Sequence, residues 1–475
     1  MDSMVANPEK KLSHRVLISY GFGHILNDLT ASMWFSYLLI FFHYVLNFTS
    51  SFSGILLLIG QIADGIATPI IGILSDKGAG HWLCRYGHRK TWHLIGTLCV
   101  ISSFPFIFSP CFGFRDVSNE RKICYYSIFI IIFQFGWASV QVSHLSLVPD
   151  LTPSQSERTN LLTIRYSCTV LANIVTHLFT WLMFLRNGKS EAVVGSADGQ
   201  KFQTIALFAA GVGFVCSLIF HLGIEEKTGE TLLEKNDNFK DINKKKVLSQ
   251  LTLYHSMAVY MMTQLFVNQS QVFIPLYLEE YLHIEAQRLP VLPLIMYISS
   301  SLTSVLTKSL NNNCGRRPAY FTGALLAILA CVPIYFGQDA FYKAYMIYIV
   351  VILFGCASSI VSVTSLGITA DLIGDHTKHG AFVYGMMSFG DKISNGVAVM
   401  IIQYLKHYNT ASSYYRDILL GMCGGSAVVG LIFVIFLPSN FELFKKERQL
   451  SGKNNVMMVY CLENETNKAK PETSS

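Results

Sequence analysis

Runs of twenty or so mostly apolar residues recur from one end of the chain to the other, and few folds can accommodate them. About 20 residues at 1.5 Å each cross the ~30 Å hydrocarbon layer of a bilayer. Lipid offers the backbone no hydrogen bonds, so such runs must be helices, which satisfy their amides internally. A membrane β-barrel would show ten-residue alternation instead, and that pattern is absent. Composition agrees: 51% of the 475 residues are hydrophobic and only 14% are charged, against about 25% charged in soluble domains.

Twelve spans are expected. Six lie near Val16–Val45, Phe52–Leu74, Trp92–Phe112, Ile123–Val148, Leu161–Leu185 and Phe202–Leu222. Six more lie near Leu248–Tyr277, Leu289–Leu310, Tyr320–Phe336, Tyr345–Ala370, Ala381–Leu405 and Ile418–Leu437. No cleavable signal is visible, because the polar start (Met1–His14) runs into a span too long for a signal core. With a cytosolic N-terminus, 24 of the 36 basic residues fall in cytosolic segments, 10 in the opposite loops and 2 inside spans. Lysine and arginine concentrate on the cytosolic side of membrane proteins, so both termini are expected there. The net charge of +6 is thus a topological signal and no mark of nucleic-acid binding.

The only long polar interruption, from Glu225 to Lys246, divides the spans six and six. The expected organisation is a cytosolic N-terminus (1–15), a six-helix bundle (16–224), a cytosolic linker (225–247), a second bundle (248–438) and a cytosolic tail (439–475) that is too polar to fold. Short repeats relate the halves: Gly87-His88-Arg89 opens span three and Gly315-Arg316-Arg317 opens span nine, while Asp150-Leu151 ends span four and Asp371-Leu372 ends span ten. Two such halves with a site between them at mid-membrane are a transporter arrangement.

A charge at mid-bilayer costs on the order of 3 kcal/mol, so each one needs a reason. Asp28 lies about 12 residues into span one, roughly 18 Å deep at 1.5 Å per residue. Asp64 is similarly deep in span two, Asp391 and Lys392 sit midway along span eleven, and Arg165 is a turn or so inside span five. Their polar neighbours share helix faces: His24, Asn27 and Asp28; Gln61, Asp64 and Thr68; Gln134, Trp137, Gln141 and His144; Gln264, Asn268 and Gln271. These faces are expected to line a cavity or to bind neighbouring helices. Arg165 either faces the cavity or snorkels to the surface. Asp391 and Lys392 point about 100° apart, so both cannot face one point. Three carboxylates against two bases leave the site one positive charge short, and a proton or a sodium ion would close the gap. Asp64 is the expected coupling residue.

The turn after span two reads Pro69, Gly72, Asp76, Lys77, Arg85, Gly87, Arg89, Trp92. It resembles the conserved loop of the major facilitator superfamily, as found in its glycoside–pentoside–hexuronide cation symporters. The resemblance implies gating roles for Gly72, Asp76, Lys77 and Arg89, with Lys77 where arginine is usual. Ser19-Tyr20-Gly21-Phe22-Gly23, leading to Asp28, is similar to the first helix of the bacterial melibiose symporters, whose aspartate contacts substrate. Asp64 falls on the first of their paired cation-binding aspartates, and the second position is Thr68, which favours a proton over sodium. Gln141, before Leu145-Ser146-Leu147-Val148-Pro149, stands where those symporters carry a second sugar-binding carboxylate, which argues against a glycoside. Arg165 and Lys392 match basic residues near the family's site, leaving Asp391 as a structural partner.

Longer stretches (Gly60–Pro69, Ser103–Cys111, and Phe133–Ser139 followed by His144–Leu147) resemble an animal branch of the superfamily resident in lysosomes and melanosomes. That resemblance implies import of cysteine into those organelles, with an effect on pigmentation. The implied substrate site is Asp28, Asn27, Gln141, Arg165 and Lys392, with Asp28 suited to an ammonium group and Arg165 to a carboxylate. The implied coupling site is Asp64 with Thr68. The competing readings are a cation–sugar symporter of the plasma membrane and a membrane sensor or scaffold that does not transport. A monomer with no cofactor is expected, and no nucleophile–base pair, phosphate loop or metal cluster points to an enzyme. Leu232-Leu233 in the linker resembles a sorting signal, and Asn47-Phe48-Thr49 is a glycosylation sequon close to the membrane. Cys111 and Cys124 bracket one loop, which leaves both a disulfide and two free thiols open.

Overall fold

Twelve helical segments follow one another in the computed structural model, which describes residues 12–76, 86–111, 118–152, 154–185, 194–226, 251–373 and 380–437. They are α1 (His14–Val45), α2 (Ser50–Asp76), α3 (His88–Ile107), α4 (Asn119–Leu151), α5 (Gln155–Leu185) and α6 (Gly199–Gly223), then α7 (Leu251–Glu280), α8 (Val291–Cys314), α9 (Arg316–Phe336), α10 (Tyr342–Ile373), α11 (Gly380–Tyr408) and α12 (Tyr414–Phe436). Each is long enough to cross a bilayer. Nine are also apolar enough by composition; α3, α7 and α11 are the exceptions. The reason lies in their residues: α3 opens on His88, Arg89 and Lys90, while α7 and α11 carry Gln269, Glu279, Glu280, Asp391, Lys392 and Lys406. The protein is an all-α, multi-pass membrane protein with no strand among the described residues. The linker with Leu232-Leu233, the tail, Lys77 and Arg85 lie outside those residues.

Alternate helices run in opposite directions, so α1 begins and α12 ends at one face, here called the termini end. There the sequence repeats become matching joints. Arg89 reaches the Asp150 carboxylate at 2.5 Å, and Arg316 reaches that of Asp371 at 3.0 Å. The next residue in each half holds the last carbonyls of the sixth and twelfth helices: Lys90 Nζ donates to Ile224 O at 2.6 Å, and Arg317 donates to Leu437 O. Unpaired carbonyls at a helix C-terminus favour such cations. Both joints depend on a glycine with positive φ, Gly87 at 115° and Gly315 at 87°. A Cβ on Gly87 would also meet the Glu226 carboxylate, which caps α3 by accepting from the Arg89 and Lys90 amides. Gly87→Ala is expected to cost about 1–3 kcal/mol and to lower the melting temperature in detergent; an unchanged midpoint would show that the turn relaxes.

Packing differs between the two ends. One contiguous apolar cluster takes in both halves and the far end, including Phe42, Phe48, Phe108, Tyr126, Phe273, Tyr277 and Tyr415. Toward the termini end the halves keep separate clusters, Tyr20, Leu147, Leu161 and Phe220 in one and Leu253, Leu372, Val383 and Met387 in the other. The far end is therefore closed and the halves part toward the termini. Among the bonds that cross between halves at the closed end, Val194 N donates to Glu279 at 2.8 Å and Tyr44 OH to Glu280 at 3.5 Å. Cys111 and Cys124 are free thiols. Asn47 is exposed at the far end with φ 54°, while its neighbour Phe48 is 2% exposed.

Candidate functional site

Midway along α1 the chain breaks at Gly23–His24, and the helix restarts with Asp28 in its first turn. His24 Nδ1 lies 3.0 Å from Asp28 Oδ2, and His24 Nε2 lies 2.9 Å from the Arg165 guanidinium of α5. Guanidinium only donates, so Nε2 accepts and Nδ1–H donates to the aspartate. A neutral imidazole thus bridges a buried carboxylate and a guanidinium. The choice left open for Arg165 falls toward the interior.

This contact is the first rung of a ladder. Thr169 Oγ1 donates to Asp28 Oδ2 at 3.0 Å, Ser32 bonds Asn173, and Tyr37 OH meets His177 Nδ1 at 2.6 Å. Rungs recur every four residues on α5, and every four and then five on α1, because the two helices run parallel and side chains at i and i+4 share a face. His24 and Asp28 were legible as part of one face; Ser32, Thr169, Asn173 and His177 carry the same period but are each neutral and unremarkable alone.

The second cluster crosses between halves. Lys392 of α11 forms an ion pair with Asp64 of α2, both side chains almost wholly buried. Thr68 Oγ1 donates to Asp64 Oδ1 at 3.1 Å and shares the Asp64 carbonyl at 2.9 Å. The Lys392 ammonium also sits 4.9 Å from the Trp137 ring centre, a cation–π distance. Trp137 is held in turn by α1: Asn27 Nδ2 donates to its carbonyl at 2.8 Å, and its indole N–H donates to Asn27 O at 3.3 Å. A small cavity lined by Trp34, Phe35, Gln61, Asp64, Gln134 and Trp137 adjoins the pair.

Around these clusters several buried polar atoms have no hydrogen-bond partner: Asn27 Oδ1, Trp34 Nε1, Gln141 Oε1 and Arg165 Nε. Donors and acceptors left this way at mid-membrane are costly and suit a polar solute. Asp391 turns away from Asp64 and accepts from Asn395 Nδ2 at 2.6 Å. Of the residues expected to gate, Arg89 is joined to Asp150 within its own half, Gly72 lies within α2 and Asp76 is its last residue. On α7, Gln264 of the expected stripe bonds Tyr260, and Gln269, outside that stripe, donates to Asn395 Oδ1 at 3.1 Å. Glu279, Glu280 and Lys406, with the Lys406–Glu280 ion pair, are functional candidates that the sequence reading missed, since residues at span ends look like ordinary boundary charges.

Residues 19–438 match the sequence profile of the family described as MFS/sugar transport protein. Major facilitator superfamily domain-containing protein 12 of Homo sapiens is 40% identical over 451 residues, covering 89% of this chain and 93% of the human protein. An uncharacterized symporter of Synechocystis sp. is 26% identical over 230 residues, 47% of this chain and 40% of that protein. The xylose transporter XylE from E. coli, in its inward-open conformation, superposes with a TM-score of 0.66 at 12% identity, covering 91% of this chain and 99% of that one. At that identity the likeness concerns the fold alone.

Proposed function

The chain belongs to the major facilitator superfamily, within its MFS/sugar transport protein family, and on that footing we propose that it carries L-cysteine from the cytosol into lysosomes or melanosomes, coupled to a cation. It is a transporter and not an enzyme, so the open points are the solute, the coupling and the membrane. The observation that carries the solute is the Asp28–His24–Arg165 bridge. A zwitterionic amino acid presents an ammonium and a carboxylate on one carbon, and a carboxylate and a guanidinium held by one imidazole offer matching partners. Gln141 Oε1, Asn27 Oδ1 and Arg165 Nε, all unpartnered and buried, add the further contacts a small polar solute needs. The resemblance to the lysosomal and melanosomal branch supports cysteine, the compartment and cytosolic termini. The 16–224 and 248–438 bundles would rock about this site as a monomer, with Asp76, Lys77 and Arg89 gating the termini end.

Sugar symport is the second reading, and the family description favours it. Gln141 and Thr68 weigh against it, because each is neutral where the sugar symporters carry a carboxylate. Uptake by the purified protein in liposomes, with cysteine, cystine and xylose compared, separates the two. Saturable uptake of cysteine alone is the expected result; uptake of xylose in preference, or of none, would reject the proposal.

A further inference from the structure

Resting on that reading, we infer that the coupling cation is a proton and that it binds the carboxyl group of Asp391, with Asp64 serving as a fixed counter-charge. α11 places two ionisable residues side by side, about 100° apart around the helix. Lys392 turns to α2 and pairs with Asp64, whose other oxygen accepts from Thr68. Asp28 is likewise occupied, by His24 and Thr169. Asp391 turns toward α7. Among the described residues no cation pairs with it, and its one side-chain bond is from the Asn395 amide.

The ionisable groups around it leave that unchanged. From α2 there is Asp64, already paired. From α7 Tyr260 faces Asp391, while His255 lies against Phe433 at the termini end. From α10 Asp371 is paired with Arg316. On α11 itself Tyr384 lies near Asp371 and Tyr260. The one positive charge that the buried site lacks is therefore lacking at Asp391. Sodium fits poorly, since Asn395 presents an N–H donor to the carboxylate.

The hydrogen-bond string shows what the proton does. Gln269 Nε2 donates to Asn395 Oδ1, and Asn395 Nδ2 donates to Asp391 Oδ1; at the far end of the string Gln269 Oε1 is buried without a partner. Every donor points toward the carboxylate. A proton arriving from solvent forms an O–H bond on Asp391, and that hydroxyl donates to Asn395 Oδ1. Each amide carries a donor and an acceptor, so both side chains turn over and the string runs the other way, from α11 to α7. On deprotonation the O–H bond breaks, the proton returns to solvent, and the string reverts. Lys392, the adjoining residue on α11, holds the ion pair that joins the two halves.

The test uses the full-length protein in liposomes with radiolabelled cysteine, comparing an imposed proton gradient with counterflow at equal pH. Wild type is expected to accumulate cysteine against its gradient only when the proton gradient is present. Asp391→Asn, which has no titratable proton, is expected to lose gradient-driven accumulation entirely and to keep a slower, pH-insensitive counterflow. Asp391→Glu is expected to restore accumulation. Gradient-driven accumulation by Asp391→Asn, or wild-type uptake indifferent to the proton gradient, would overturn the assignment, as would a well-folded Asp391→Asn without counterflow. Failure of wild type to transport cysteine would sink the solute reading alone. The proton site is then read directly by infrared difference spectra between acid and neutral buffer. A protonated-carboxyl band absent from Asp391→Asn supports it; an identical band in the variant overturns it.

Discussion

Lys392→Ala is expected to abolish transport and to destabilise the folded protein by about 3–5 kcal/mol, the usual cost of leaving one partner of a buried ion pair uncompensated. The Asp64 and Lys392 side chains are 6% and 10% exposed, so water cannot screen the carboxylate left behind. Two contacts would vanish together: the ion pair across the halves and the cation over the Trp137 ring. Removing the charge from both sides is expected to be milder. Asp64→Asn with Lys392→Gln should recover most of the lost stability, because two neutral amides or their equivalents bury more cheaply than one lone charge, yet it should not recover full transport. Melting temperatures of the single and double variants in detergent check the first claim and liposome uptake checks the second. A single variant as stable as wild type would mean that water reaches the pair.

Asp28→Ala is expected to abolish cysteine accumulation while leaving folding and sorting intact. The contact it removes is a charge-assisted hydrogen bond to the solute's ammonium group, worth about 2–3 kcal/mol, or roughly 30- to 150-fold in kcat/KM. Of its present partners, Thr169 also bonds the Arg165 carbonyl at 3.2 Å, and His24 keeps Nε2 on the Arg165 guanidinium. Asp28→Asn separates charge from shape, since the amide oxygen still accepts from both. Equal losses in the two variants would assign the effect to the charge. Normal accumulation in Asp28→Ala would remove this residue from the site.

Several parts of the structure were legible in the order of residues, and the reasons are local. Apolar length specifies a spanning helix because the bilayer fixes the distance to be crossed. The Gly-x-Arg repeats at 87–89 and 315–317 marked matching joints because only glycine tolerates the positive φ found at both. Asp28, Asp64, Arg165 and Lys392 stood out because charge in hydrocarbon is expensive.

Partnership was not legible. Asp391 and Lys392 are adjacent, and periodicity alone places them on different faces without saying which face meets α2. The α1–α5 ladder needs the parallel register of two helices separated by 141 positions at His24 and Arg165. Glu279, Glu280 and Lys406 carry charges that any span end could carry, until packing sets Val194, Tyr44 and the Lys406 ammonium against them. The sequence by itself determined that this chain crosses a membrane many times, in two related halves, with charges held at mid-depth. Only the tertiary structure decided which of those charges neutralise one another, because an ion pair depends on a few ångströms between helices and helical period carries no information about the neighbour.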